Sequence, residues 1–132
     1  MGRIQARDCG FKLIFEFLFN SEAINDAVFE DGKNLLSEDI DYANKIFNEA
    51  KNNVDIINSK IISNLKNDLR LSDIYKLDYA ILVSAVAQID YLNEPISLII
   101  NESVNLAKKY STDNSPKFIN GVLASIYNKT NN

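Results

Sequence analysis

NEPISLIINESVNLAKKYSTDNSPKFINGVL, residues 93–123, decides how this 132-residue chain folds. Pro95 suits the first position of a helix, where its missing N–H costs nothing. Behind it Ile96, Ile99, Ile100, Ser103, Val104 and Ala107 recur at three- and four-residue steps, the spacing of a single helical face. The polar, turn-rich YSTDNSP (110–116) ends that helix. Within it Ser115-Pro116 repeats the start signal, and Ile119, Val122, Leu123 and Ile126 supply the next buried stripe. The stretch therefore reads as two helices joined by a short loop.

The same pattern continues toward the N-terminus. A long helix is predicted from about Asp73 to Tyr91, with Leu77, Ala80, Ile81, Ser84, Ala85, Gln88 and Ile89 at helical spacing. Its small residues allow a neighbour to come near. Before it, Ile57, Ile61, Ile62 and Leu65 mark one helix, and Ser37 caps another with Ile40, Ala43, Phe47 and Ala50 facing inward. Ser21 can cap a short helix ending at Gly32. The opening GRIQARDCGFKLIFEF (2–17) carries a narrow polar strip of Gln5, Asp8, Lys12 and Glu16. Ala6, Cys9, Leu13, Phe17, Ile14 and Leu18 cover the opposite flank. So narrow a strip predicts a helix packed on most sides, the central one of the fold. Gly10 costs such a helix ~1 kcal/mol relative to alanine and is most simply a site of close backbone approach. NKTNN (128–132) reads as a frayed tail.

The fold class that follows is all-α: a compact bundle of about seven helices forming one domain over residues 1–132. The longest connection, around residues 30–37, suggests two helical lobes, taken as 1–52 and 53–130.

Composition narrows the chemistry. The chain contains no histidine and a single cysteine, Cys9. This removes Ser-His and Cys-His nucleophile arrangements, disulfide frameworks and the usual transition-metal ligand sets. GxxxxGK[ST] and GxGxxG phosphate loops are both missing. No enzyme, cofactor or metal is expected. No apolar run approaches the ~18–20 residues of a membrane span, and the start lacks the marks of a signal peptide. A cytoplasmic protein is expected.

The net charge of −4 is unevenly spread. Residues 1–15 hold three bases against one acid, a sum of +2, and residues 16–55 hold three bases against ten acids, a sum of −7. Residues 56–132 hold eight bases against seven acids, a sum of +1. The ends are mildly basic and the middle acidic. Ordinary solvation explains this, as does a meeting of the two ends in one small basic surface.

Arg3 and Arg7 stand in a first helical turn, where cations are disfavoured by ~0.3–1 kcal/mol when exposed. They are four apart, so they leave the helix on one side, and Phe11 and Phe15 continue the row. Basic residues followed by aromatics suit a single strand, with phosphates bonded and bases stacked. Equally, the phenylalanines are core and the arginines serve solubility. Lys117-Phe118 offers a second basic–aromatic pair at a helix start, with the same two readings. Asp73, Asp78 and Tyr79 form an acidic helix opening, either a solvated face or a surface for a basic protein partner.

The stretch quoted first also resembles the signature of the NusB family of bacterial transcription antitermination factors. The matching pieces are Pro95, Ile100-Asn101-Glu102, LAKKY (106–110) and SPKFINGVL (115–123). LDYAIL (77–82) and RIQARDCGFKLIF (3–15) look like further parts of the same family, so that the resemblance covers nearly the whole chain. It implies an all-helical fold of two small subdomains and a role without catalysis. It further implies binding of boxA-type single-stranded RNA together with NusE, a small-subunit ribosomal protein. The pair joins complexes that keep RNA polymerase elongating through ribosomal RNA operons. Carried onto this chain, the RNA-facing positions are Arg3, Arg7, Phe15, Asn114, Lys117 and Phe118, and the partner-facing position is Asp78.

The departures from the family pattern matter as well. Ile4 and Gln5 stand where further arginines are common, Asp73, Tyr79 and Val83 where basic residues are common, and Gln88 where a glutamate is common. Fewer cations mean fewer phosphate contacts and a shallower salt dependence. Weak RNA binding by the isolated chain is expected, with the partner supplying much of the affinity. The competing reading is a helical protein-interaction adaptor with little RNA binding of its own. Self-association into a homodimer is also open. NusB-like domains also occur fused to RNA cytosine methyltransferases; over these 132 residues no methyl-donor domain is expected.

Overall fold

The computed structural model describes residues 2–19 and 37–128. The helix expected between Ser21 and Gly32, the connection at 30–36 and the tail after Asn128 lie outside the described residues. Within them the all-α expectation holds: there are six α-helices and no strand. They are α1 (Gly2–Phe19), α2 (Ser37–Asn52), α3 (Val54–Ile62), α4 (Lys76–Tyr91), α5 (Ile96–Tyr110) and α6 (Ser115–Asn128). A 3-10 turn, Leu71–Asp73, precedes α4. Among the described residues no helix is long and apolar enough to cross a membrane.

The centre of the fold is α4 rather than the expected first helix. Every residue from Ala80 to Ile89 is buried, and α1, α2, α3, α5 and α6 all pack against this helix. Ala80, Ser84, Ala85 and Ala87 have side chains small enough to admit neighbours on several sides. The misleading feature was the polar strip of α1. Asp8 and Lys12 do not face water: they are buried at the seam with α5, where Asp8 meets Lys109 at 3.3 Å and the Tyr110 hydroxyl at 2.7 Å. Phe17, assigned to the covered flank, is exposed.

Gly10 does mark a close approach. A Cβ there would stand 3.2 Å from two atoms of Ile46 and 3.4 Å from the Ala43 carbonyl, so α1 lies directly on α2. The buried face of α2 is rotated from the expected stripe, with Asp39, Tyr42, Ala43, Ile46 and Ala50 inside and Ile40 outside. That rotation brings Tyr42 to the functional region.

Both ends of α4 shape that region. At its start, the Asp73 carboxylate accepts the Arg70 N–H at 2.9 Å and winds Leu71–Asp73 into the 3-10 turn. Ile74 and Tyr75 then run extended, which delays the helix from the expected Asp73 to Lys76. At its end, Asn93 takes a left-handed conformation (φ 57°), which asparagine tolerates better than most residues. The Glu94 N–H then donates back to the Gln88 carbonyl at 3.1 Å. This reversal aims the Glu94 carboxylate at α1.

Candidate nucleic-acid interface

At the opening of α1, Arg7 lies inside the molecule, 5% exposed. Its Nε donates to Gln88 Oε1 at 2.8 Å, while its two terminal nitrogens donate to Glu102 Oε2 at 2.5 Å and Glu94 Oε2 at 3.0 Å. The Tyr42 hydroxyl donates to the same oxygen of Glu94. Gln88 passes the network on through its amide nitrogen to the carbonyl and hydroxyl of Ser84. One guanidinium thus joins α1, α2, α4, the α4–α5 turn and α5. Burial alone would lower the Arg7 pKa, but Glu102 and Glu94 outweigh it and raise the value. Burial works against the Glu94 carboxylate too, yet the Tyr42 hydroxyl and Arg7 hold its pKa below the ordinary 4.5. Burial and the Glu94 charge together push the Tyr42 phenol up.

Arg3 is different: its side chain is 51% exposed. The guanidinium carbon lies 3.7 Å from the centroid of the Tyr42 ring, and Nη1 lies 3.9 Å from Glu94. The row begun by Arg3 therefore does not stay on the surface. Each four-residue step turns about 40° further around the helix axis. Arg3 is outside, Arg7 and Phe11 are buried, and Phe15 is half-buried against Phe19 at 5.1 Å. Phe11 meets Tyr110 in the core.

At the start of α6 the anchor is Asp78, which is buried rather than facing outward. Its carboxylate accepts the Ser111 hydroxyl at 2.6 Å and the Ser115 hydroxyl at 2.9 Å. Ser115 also accepts the Thr112 N–H at 3.1 Å. Asp78 thereby fixes the α5–α6 loop and the first turn of α6 to α4. This clamp leaves Asn114 and Lys117 exposed and Phe118 half-buried. Asn114 and Phe118 border a shallow depression of about 270 Å³ with Leu69, Tyr75 and Asp78. Lys117 instead borders an open groove of about 530 Å³ between α5 and α6, with Ser97, Asn101 and Asn120 on its walls.

The two ends flank one helix. Glu102, on one side of α5, holds Arg7, while Asn101 and Ser97, on the other side, line the groove with Lys117. Between them the exposed ridge of α5 presents Asn101, Asn105, Lys108 and Lys109 and no carboxylate. Lys108 and Lys117 have no ion-pair partner among the described residues, whereas Lys109 is shared with Asp8. The Tyr110 hydroxyl and the Asp8 carboxylate raise the Lys109 pKa. Phe15 lies about 12 Å along α1 from Arg7, at a rise of ~1.5 Å per residue, and is not part of this ridge.

The model of the NusB family matches residues 4–128. The chain belongs to the NusB family. A transcription antitermination protein NusB of Clostridium novyi is 36% identical over 131 residues, covering 96% of this chain and 98% of that protein. Among solved structures, NusB of T. maritima superposes with a TM-score of 0.82 at 26% identity, covering 96% of this chain and 91% of that one. A crystal structure of the antitermination factors NusB and NusE in complex with double-stranded RNA gives a TM-score of 0.82 at 25% identity, covering 97% of each chain. The function is that of the NusB family, transcription antitermination, and the chain is not an enzyme.

Within this NusB-family chain, sequence reasoning missed the partners of the arginines: Tyr42, Gln88, Glu94 and Glu102. Two of these lie in the stretch that carries the resemblance: Glu102 inside one of its matching pieces and Glu94 next to Pro95. The signal available was a buried-charge rule: an arginine on an otherwise apolar helix needs carboxylates nearby. Among the described residues, no three His, Cys, Asp or Glu side chains converge to hold a metal ion.

Proposed function

We propose that this chain binds boxA-type single-stranded RNA in nascent ribosomal RNA transcripts jointly with NusE, promoting processive elongation by RNA polymerase. The observation that carries this reading is the acid-free exposed ridge of α5, with the Lys117 groove along one side and, along the other, the Arg7–Glu102 junction to α1, whose first turn carries Arg3. A helix is about 10–12 Å across with its side chains, a width that a short single strand can bridge. Arg3, Lys108 and Lys117 supply positive charge, Asn101 and Asn114 supply amides, and Phe118 supplies a partly open ring for stacking. Arg7 and Asp78 act from beneath, Arg7 by setting α1 against α5 and Asp78 by fixing the first turn of α6. In this role Asp78 serves the partner surface through the position of its loop. Phe15, half-buried among rings, serves by supporting α1.

Few exposed cations imply few released counterions and weak binding by the chain alone. Fluorescence anisotropy of labelled boxA-type RNA, titrated with the chain alone and with NusE at two salt concentrations, tests this. The expected outcome is weak binding alone, tighter binding with NusE, a shallow salt slope and competition by single strand over duplex. Charge reversal at Arg3 and Lys117 abolishes binding. A dissociation constant unchanged by NusE refutes the joint mode. The internal use of Arg7 favours one other reading, a protein-interaction adaptor, and no RNA binding under any condition would select it.

A further inference from the structure

Arg3 is placed to do more than supply positive charge. One face of its guanidinium is covered by the Tyr42 ring, with the central carbon 3.7 Å from the ring centroid. One edge is turned toward Glu94, whose carboxylate lies 3.9 Å from Nη1. The side chain is nonetheless 51% exposed, which leaves room for a ligand on the side away from the ring. A phosphate drawn to the edge meets the negative charge of Glu94, a like-charge penalty. A nucleobase has no formal charge and meets no such penalty, and the planar guanidinium stacks on rings.

We propose that Arg3, backed by Tyr42, forms a shelf on which one base of a single-stranded RNA stacks, giving the order Tyr42 ring, Arg3 guanidinium, base. The inference rests on the RNA-binding reading above and refines what Arg3 does within it. The shelf is held in advance of binding. The Tyr42 hydroxyl donates to Glu94, Glu94 also takes Arg7, and Arg7 is tied to Gln88 and Glu102. Tyr42 is only 9% exposed, so its ring has no other face to offer and works through the arginine. A shelf of this kind accepts any base, because every base has a π-face. It therefore contributes affinity and register, and leaves sequence choice to the amides of the α5 ridge.

The test uses the full chain with NusE and a boxA-type RNA carrying 2-aminopurine at one position at a time. Stacking quenches its fluorescence, and anisotropy of the same complexes gives affinity. The expected result is one position quenched by the wild type. Arg3→Lys keeps the charge and removes the plane, so that quenching at that position disappears and affinity falls about fivefold or more, the scale of one lost base stack. The salt slope stays at the wild-type value, since the number of cations is unchanged. If Arg3→Lys binds and quenches as the wild type does, or if no position is quenched in a wild-type complex that forms, the shelf is refuted while RNA binding stands. If the wild type forms no complex with RNA, the RNA-binding reading itself falls and the shelf with it.

Discussion

Replacing Arg7 with methionine tests the structural logic of the interface. The variant keeps a long apolar stem but removes the guanidinium that joins Gln88, Glu94 and Glu102. Two carboxylates are left without their principal counter-charge, their side chains only 18% and 13% exposed. Removing one partner of a fully buried ion pair costs about 3–5 kcal/mol. Glu94 and Glu102 reach some water and Tyr42 still donates to Glu94, which puts the loss at the low end, about 3 kcal/mol. For a domain of this size that corresponds to a drop in Tm on the order of 10 °C.

The pH dependence gives a second readout of the same variant. In the wild type Glu94 has a depressed pKa, so its contribution is complete above the ordinary carboxylate value of 4.5 and is lost as the pH falls through the lower folded value. In Arg7→Met the burial of Glu94 persists while its main charge partner is gone, so protonating it in the folded state is easier. The stability gap between variant and wild type therefore narrows as the pH is lowered from 7 toward about 4. Urea unfolding followed by circular dichroism at several pH values measures both quantities. A variant within ~1 kcal/mol of the wild type at pH 7, with a gap that does not change on acidification, refutes the reasoning.

Four further outcomes follow from the structure. Gly10→Leu forces a side chain against Ile46 and the Ala43 carbonyl, and overpacking between α1 and α2 lowers stability by about 1–3 kcal/mol, read from the urea midpoint. Gly10→Ala stays near neutral, because its gain in helix propensity of ~1 kcal/mol is set against contacts at 3.2 Å. Asp78→Ala leaves the Ser111 and Ser115 hydroxyls without their acceptor, costs about 1–3 kcal/mol, and speeds amide exchange at residues 111–117. In alkaline titration, phenolate absorbance shows Tyr42, Tyr79 and Tyr127 ionising above the ordinary value of 10, with burial the first cause in each. Raised folded values mean that the stability these phenols carry is intact below pH 10 and is lost as the pH climbs through them.

The helices from Pro95 onward were legible because their apolar spacing is regular and their starts are marked by proline and serine. The late start of α4 was not, since it depends on an Arg70–Asp73 bond that competes with the helix for the same backbone. Helical spacing placed Arg3 and Arg7 on one side of α1, but spacing carries no depth. Which of two neighbouring arginines reaches water was set by Glu94 and Glu102, some 90 residues away in sequence and delivered by the turn at Asn93. The same holds for Asp78, whose burial follows from hydroxyls on the α5–α6 loop. Charge that looks like surface in one dimension is, in both places, the material that holds two elements together.

The unequal fates of the two arginines bear on how proteins of this kind diverge. Positions 3, 4 and 5 all point outward, so lineages are free to gain or shed cations there, tuning their grip on nucleic acid with little penalty to the scaffold. Position 7 is closed to such drift, because any replacement must first reconcile two stranded acids.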